Sequence, residues 1–362
     1  MDIKRYFTQG MQNIHFKVDI LDINDNKIDN LDGYVLSGNI TITNNDIVRR
    51  TLNMEFVYKD KTKIDENSLL WINKRIQPWI GIENKINKEI YWVNLGIYII
   101  SNPQKGVSLN SKTVSIQGYD KMYGYHNHFM YETKVKADTP IHEVIRNIGV
   151  LKGETKFKIN NTSRTIPYDR EFTSDTELME ELKQVTELYM DYQTYYDIDG
   201  YLVYEEINNH KTDAPIWTFD NSNKDTVISK TVAYDYDSVV NYVKTLGKMD
   251  NDTAYQPMYE MKIEGADEKF SIENIGLKSK SYPMDNYTTE EQCRLKCEYE
   301  IEKSKRLSHT FRIETSPIYL INDVNKNIKI IDEGEEYICS IDEVTIPFGV
   351  GSMSITAHIV ER

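Results

Sequence analysis

Two octapeptides far apart in the chain, "RRTLNMEF" (residues 49–56) and "SHTFRIET" (residues 308–315), share one pattern. A Thr in third place is followed by apolar residues at positions four and six and polar residues at five and seven. Such alternation matches the two-residue period of a β-strand with one buried face. A second correspondence lies further along. Tyr98, Ile99 and Ser101 recur as Tyr337, Ile338 and Ser340, and at the same spacing Ser115 and Ile116 recur as Ser354 and Ile355. The octapeptides recur at a different spacing, as expected if the first copy carries a longer loop. One reading is a β-domain present twice; chance agreement of short strands is the other. Under the first reading the second copy is split by an insertion over residues 250–305.

The rest of the first third also reads as strands. "NIHFKVDILDINDNKI", "GYVLSGNITIT", "LGIYIIS" and "TVSIQGYD" alternate between clusters of Asn, Asp and Gly, which gives an antiparallel β-domain over residues 1–118. From Lys136 the period lengthens. In "DTPIHEVIRNIGV", Thr139 is placed to cap, Pro140 suits the first helical position, and Ile141, Val144, Ile145 and Ile148 share a face. "SDTELMEELKQVTELYM" adds a second helix, with Ser174 and Glu177 as a capping box and Leu178, Leu182 and Val185 on one side. "YQTYYDIDGYLVYEEI" follows as a hairpin around Asp199-Gly200. Residues 119–207 therefore form a helix-helix-hairpin module, and strands resume over 208–249 and 306–362.

The insertion ends in "TTEEQCRLKCEYEIEKSKR" (residues 288–306). Cys293, Leu295, Cys297, Tyr299 and Ile301 alternate as in a strand, whereas the Glu, Lys, Arg and Gln between them favour helix. A capping box of Thr288 and Glu291, with pairs Glu290–Arg294, Glu302–Arg306 and Glu300–Lys303, tips the segment to a helix. Its Cys293, Cys297 and Ile301 then share one face, opposite Leu295 and Tyr299. The expected fold class is α+β, mainly β, with two related antiparallel β-barrel-like domains and two smaller α/β modules.

Composition narrows the function classes. Acidic residues outnumber basic ones, 57 to 43, for a net charge of −14, and without clustered Lys and Arg there is little counterion release to drive binding to phosphates. No specific nucleic-acid binding is expected. No apolar run approaches the roughly 18 residues of a membrane span, and "MDIKRYFTQG" lacks a secretory pattern, so no membrane anchor is expected and synthesis is cytoplasmic. Three cysteines are too few and scattered for a disulfide framework. The 26 tyrosines suit sheet surfaces and protein interfaces.

Candidate sites are weak. Cys293 and Cys297 offer two thiolates, but a tetrahedral zinc site would have to recruit the distant Cys339 and His309. His126 and His128 would point the same way along a strand, with no third ligand identifiable. Asp22, Asn24 and Asn26 begin like a calcium loop, yet Lys27 replaces the turn glycine and Gly33 the bidentate glutamate, so turn chemistry explains them. No nucleophile elbow, phosphate loop or dinucleotide fingerprint is present. The aromatic stretch "YDKMYGYHNHFMY" (residues 119–131) fits a domain junction, a subunit interface or a sugar platform. No catalytic, cofactor or metal residue is assigned.

Taken in order, "RRTLNMEFVYKD", "LLWINKRIQPWIGIE", "WVNLGIYIISNPQKG" and "KTVSIQGYDKM" resemble the first tube domain of baseplate or tail-tip hub proteins from bacteriophages with Gram-positive hosts. "TPIHEVIRNIG", "IPYDREFTSDTELMEELKQV" and "YYDIDGYLVYEE" are similar to the helical module that follows it. "DYDSVVNYVKTLG", the long run from "SIENIGLKSKSYPMDNYTTEEQ" to "INDVNKNIKI", and "IDEVTIPFGVGSMSITAHI" resemble a second tube domain with its insertion. The likeness lies in the series, along nearly the whole chain. One departure is the turn Asn322-Asp323-Val324-Asn325, where the family commonly has glycine-aspartate.

The resemblance implies a non-enzymatic structural protein of the virion tail, assembled in the host cytoplasm. Two tube domains per subunit in a homotrimer would make a pseudo-sixfold ring. That ring would mate with the tail tube or distal tail protein, the tape measure protein and a spike or tip protein, and let DNA pass through its lumen. Strands of neighbouring wedges would continue one barrel, and acidic lumen side chains would keep DNA from sticking. A wall-degrading tail-tip enzyme and an adhesin for wall glycans are the competing expectations.

Overall fold

The computed structural model describes residues 13–130, 132–207, 213–220, 227–250, 253–307, 309–349 and 351–361. The first half contains β1 (Asn13–Leu21), β2 (Lys27–Asn30), β3 (Val35–Thr43), β4 (Arg50–Val57), β5 (Arg75–Glu83), β6 (Ile90–Asn94), β7 (Tyr98–Val107) and β8 (Lys112–Tyr119). Alternation acts as expected in β4, where Leu52, Met54 and Phe56 are buried between less buried neighbours. The spatial order is β3-β4-β8-β7-β5-β1-β2, with β6 on the far part of β5.

A smaller module follows, made of β9 (Thr133–Val135), α1 (Ile141–Leu151), β10 (Phe157–Ile159), β11 (Arg170–Phe172), α2 (Leu178–Thr186), β12 (Tyr192–Tyr196) and β13 (Leu202–Glu206). Ile141, Val144, Ile145 and Ile148 of α1 are buried with Leu182 and Val185 of α2 against Tyr196 and Leu202. Gly200, at φ 79, supplies the left-handed residue of the β12–β13 hairpin. The caps differ from expectation. Thr139 turns its hydroxyl back to the Lys136 carbonyl (2.8 Å), so α1 starts behind Pro140 without a side-chain cap. α2 has Glu177 as its N-cap, also without a side-chain bond, and Ser174 stays outside the helix.

The second half contains β14 (Trp217–Asp220), β15 (Val227–Ala233), then β16 (Tyr242–Leu246), β17 (Met258–Lys262), α3 (Ile272–Ile275), β18 (Ser279–Pro283) and α4 (Glu290–Leu307), and finally β19 (Thr310–Thr315), β20 (Asn327–Asp332), β21 (Glu335–Pro347) and β22 (Met353–Glu361). Strand β16 corrects the expected boundary at residue 250. It is the centre of the inserted sheet, antiparallel to β17 and parallel to β18, because its Val243 packs under Cys297 and Ile301 of α4. The segment 288–306 is indeed helical over α4, with Cys293, Cys297 and Ile301 buried together on one face. Its box sits one residue later than expected: the Gln292 side-chain oxygen accepts from the backbone N–H groups of Thr288 (2.9 Å) and Thr289 (3.1 Å). Arg294 pairs with Glu291 and Glu298 rather than Glu290, and Glu300 pairs with Lys296 rather than Lys303. The Arg306 side chain, and with it the Glu302–Arg306 pair, lies outside the described residues.

The two halves share one topology. The path β3-β4-β8-β7-β5-β1 is matched by β15-β19-β22-β21-β20-β14, in the same spatial order and the same chain order. Register agrees as well: Thr51 lies opposite Tyr119 and Met54 opposite Ile116, as Thr310 lies opposite His358 and Ile313 opposite Ile355. Each leading strand even carries its bulge at the same place, between Val35 and Ser37 and between Val227 and Ser229. One strand differs, since β1 is antiparallel to β5 whereas β14 is parallel to β20. One sequence correspondence also slips. Ile99 faces Tyr119, but the residue facing His358 is Ser340, not Ile338. The β7–β8 hairpin has ten residues between the paired Gln104 and Ser115 where the β21–β22 hairpin has eight between Thr345 and Ser354, which accounts for the two residues, and an even slip keeps the same face inward.

Two separate barrel-like sheets were the expectation; among the described residues the strands form one open sheet. Strand β21 is long enough to do both jobs, pairing with β20 near its start and with β3 near its end. A single core accordingly runs from Val18 through Ile40 and Phe56 to Phe311, Ile341 and Ala357.

Candidate functional site: a shared sheet with two open edges

Eight strands, β15-β19-β22-β21-β3-β4-β8-β7, lie side by side across both halves. Their inward residues, such as Ile42, Met54, Ile116, Ile313 and Ile355, are buried in the common core. Outward residues form cross-strand rows. One row reads Ser229, Glu314, Ser354, Thr345, Thr41 and Thr51, each opposite the next. At the seam between halves the Thr41 and Thr345 hydroxyls lie 3.1 Å apart, and beside them Asn53 donates to Asn39 (3.2 Å). A broad, open hollow on this face is lined by Ser37, Asn39, Asn53, Glu55, Gln104 and Ser115. It is a hydroxyl- and amide-rich wall rather than an enclosed ligand pocket. The alternation places mainly Ser, Thr, Asn and Gln on this side.

The sheet ends openly at both sides. Among the described residues β15 pairs only with β19, and β7 beyond Ile99 pairs only with β8. Each presents backbone groups that another strand can satisfy.

Buried polar contacts hold the parts together. Arg50, 1% exposed, has Nη2 2.6 Å from Asp323 of the second half, while Nη1 donates to the Tyr196 carbonyl of the helical module. Its backbone N–H donates to Asp120 (3.0 Å). Burial pushes the Asp120 carboxyl up to about 6, against the pull of Arg50. The turn that departs from the hub pattern thus has a use, with Asp323 pairing Arg50 and Asn325 taking φ 58. A second cluster joins β1–β2 to the module. Asp25 receives Arg75 (2.6 Å), Lys121 (3.0 Å) and Lys156 (3.1 Å), and Lys121 also meets Glu154 (2.6 Å). Burial alone would raise both carboxyls, but Lys121 with its basic neighbours holds Asp25 and Glu154 below their usual range. The aromatic residues 119–130 pack at this junction, with the Tyr125 hydroxyl 3.1 Å from that of Tyr196 and Tyr119 stacked on Tyr123. Neither Arg50 nor Asp25 was signalled by the sequence, because a buried charge looks like a surface one until its partners are known.

The other candidates resolve into local structure. Cys297 sits against the Tyr259 carbonyl and the Thr245 hydroxyl, and Cys293 against the Pro257 carbonyl. Burial raises the Cys293 thiol to about 11 and that of Cys339 to about 12, which disfavours the thiolate that metal or nucleophilic chemistry needs. Among the described residues no three His, Cys, Asp or Glu side chains could hold a metal ion. His126 contacts Glu177. The Asp22 carboxylate accepts from the Asn24 (2.8 Å) and Asn26 (2.9 Å) N–H groups, an Asx turn. No described helix is long and apolar enough to cross a membrane.

No protein-family model matches the sequence, and no curated protein matches it. Solved structures do match the fold. The 43 kDa tail protein of prophage MuSo2 from Shewanella oneidensis superposes with a TM-score of 0.67 at 12% identity, covering 96% of this chain and 98% of that one. A tail protein from Neisseria meningitidis MC58 gives 0.66 at 10% identity, covering 95% and 96%. Prophage tail protein gp18 from Listeria monocytogenes EGD-e gives 0.60 at 12% identity, covering 94% of each chain. At these identities the likeness is one of architecture: along nearly its whole length, this mainly-β chain has the fold of phage and prophage tail proteins.

Proposed function

We propose that the chain is a structural, non-enzymatic hub of a bacteriophage tail baseplate or tail tip. The observation that carries this reading is the pair of half-sheets with one strand order, fused edge to edge inside one polypeptide. A chain built of two like wedges lets three copies present six, which converts a threefold tip into a sixfold tube. In this reading residues 1–118 are the first tube domain, 119–207 the helical module, and 208–241 with 306–362 the split second tube domain. The insert is 250–305, extended back to include β16. Closure of the wedges would complete barrel walls that a single chain leaves open. The polar face of the eight strands would line the lumen, where hydroxyls and amides offer passing DNA no dense array of fixed cations. Tail tube or distal tail protein, tape measure protein and a spike or tip protein would be the neighbours in the virion.

The test is mass and shape. Sedimentation and class averages of the purified protein, alone and mixed with tail tube subunits, should give trimers with an annular view of six lobes. Monomers under all these conditions would overturn the proposal. Clearing of host peptidoglycan by the isolated protein, or selective binding on a glycan array, would move the reading to a wall-degrading enzyme or an adhesin.

A further inference from the structure

The seam inside the chain specifies a second seam between chains. At the internal seam the end of β21 lies antiparallel to β3, with Thr345 opposite Thr41, Ile346 opposite Ile40 and Pro347 opposite Asn39. Strands β3 and β15 are counterparts: Thr41 faces Thr51 as Ala233 faces Thr310, and Ile40 faces Leu52 as Val232 faces Phe311. Strands β21 and β7 are counterparts too, since Thr345 faces Ser354 as Gln104 faces Ser115. What β3 is to β21, β15 therefore is to β7. Yet within one chain β15 and β7 stand at opposite ends of the eight-strand path, each with an open edge among the described residues.

We infer that β15 of one copy adds antiparallel to β7 of the next, with Ala233 opposite Gln104, Val232 opposite Lys105 and Thr231 opposite Gly106. The direction follows without adjustment, because the eight strands alternate and the ninth must run opposite to β7. Exposure supports the place. Phe348, just past Pro347, is 1% exposed, and its N–H donates to the Gly38 carbonyl (2.8 Å) across the internal seam. Its counterpart Val107 is 64% exposed in the single chain. An apolar residue left bare at the position where its equivalent is buried is what an unoccupied seam looks like. The seam between chains is the more polar of the two, with Lys105 standing where Ile346 does, which suits copies that must remain soluble before they assemble.

This inference rests on the hub reading, and one experiment separates the two. Backbone bonds flank the Thr345–Thr41 pair at Phe348 N–H to Gly38 and Asn44 N–H to Asp342, so this pair is a non-hydrogen-bonded one with Cα atoms about 4.5 Å apart. That spacing accepts a disulfide. Oxidation of a Gln104→Cys/Ala233→Cys variant should therefore give covalent multimers on a non-reducing gel. Neither single variant should do so, and the off-register pair Gln104→Cys/Thr231→Cys should do so poorly. A second variant, Val232→Pro, removes an N–H that points across the seam while sparing the β15–β19 bonds, and should weaken association by about tenfold or more. Oligomers of unchanged mass that cross-link equally well off register, or not at all, would sink this seam while leaving the hub reading intact. Absence of oligomers at any concentration would sink both.

Discussion

Arg50→Met should be among the most damaging single substitutions in this protein. The side chain is buried and its guanidinium reaches two other parts of the chain, Asp323 at 2.6 Å and the Tyr196 carbonyl, while its backbone N–H to Asp120 survives the substitution. Methionine keeps much of the volume but leaves Asp323 and the Tyr196 carbonyl without their donor. Removing one partner of a buried ion pair costs about 3–5 kcal/mol. Asp323 retains 21% side-chain exposure, so hydration offsets part of the loss and the expected value is the lower figure, about 3 kcal/mol. That is a large share of the roughly 5–15 kcal/mol by which a folded domain is stable. Urea unfolding of wild type, Arg50→Met, Asp323→Asn and the double variant, followed by far-UV circular dichroism, closes a double-mutant cycle. The single variants should each lower the midpoint, and the double should cost clearly less than their sum. A loss under about 1 kcal/mol for Arg50→Met, or additive behaviour, would refute the claim that this contact ties the halves and the module together.

Four further outcomes follow from the same physics. Asp25 and Glu154 are held below their usual range, so they contribute stability at neutral pH that is lost as pH falls through their folded values; Lys121→Met should remove that acid-limb loss in pH-dependent melts. Asp120 acts in the opposite sense, being raised from 3.8 to about 6, so stability should fall as pH rises across that interval, and Asp120→Asn should flatten this slope. Cys293, Cys297 and Cys339 are all buried, so a thiol reagent should label none of them in the native protein and all three in urea; fast native labelling would contradict the packing of α4 and β21. Met54→Ala and Ile313→Ala, at equivalent core positions, should each cost about 2–5 kcal/mol in chemical denaturation, and a negligible cost at either would argue against their equivalence.

Much of the architecture was legible because it is written in local periods. Alternation in "RRTLNMEF" and "SHTFRIET" identified two strands that occupy the same place in the two half-sheets, 3.6-residue spacing identified α1 and α2, and a capping box with charge pairs identified α4. Caps were less legible. Thr288 and Thr289 are both capable, and the choice depended on where Gln292 could reach. The strand β16 looked like its neighbours and was misplaced, since an alternating pentapeptide does not say which sheet will take it. The Tyr98–Tyr337 match was off by two residues because the β21–β22 hairpin is two residues shorter than the β7–β8 hairpin, and pairing positions are set by register rather than by matching letters.

By itself, then, the sequence determined which residues turn inward and that one strand pattern occurs twice, because the side-chain period of a strand or helix is set by backbone geometry within a few residues. Only the tertiary structure decided which edges meet. Pairing of β21 with β3, the buried ties of Arg50 and Asp25, and the open edges of β7 and β15 depend on residues from 50 to 304 positions apart. Backbone hydrogen bonds are the same for every residue type, so a strand carries little record of its partner until burial of the shared core selects one.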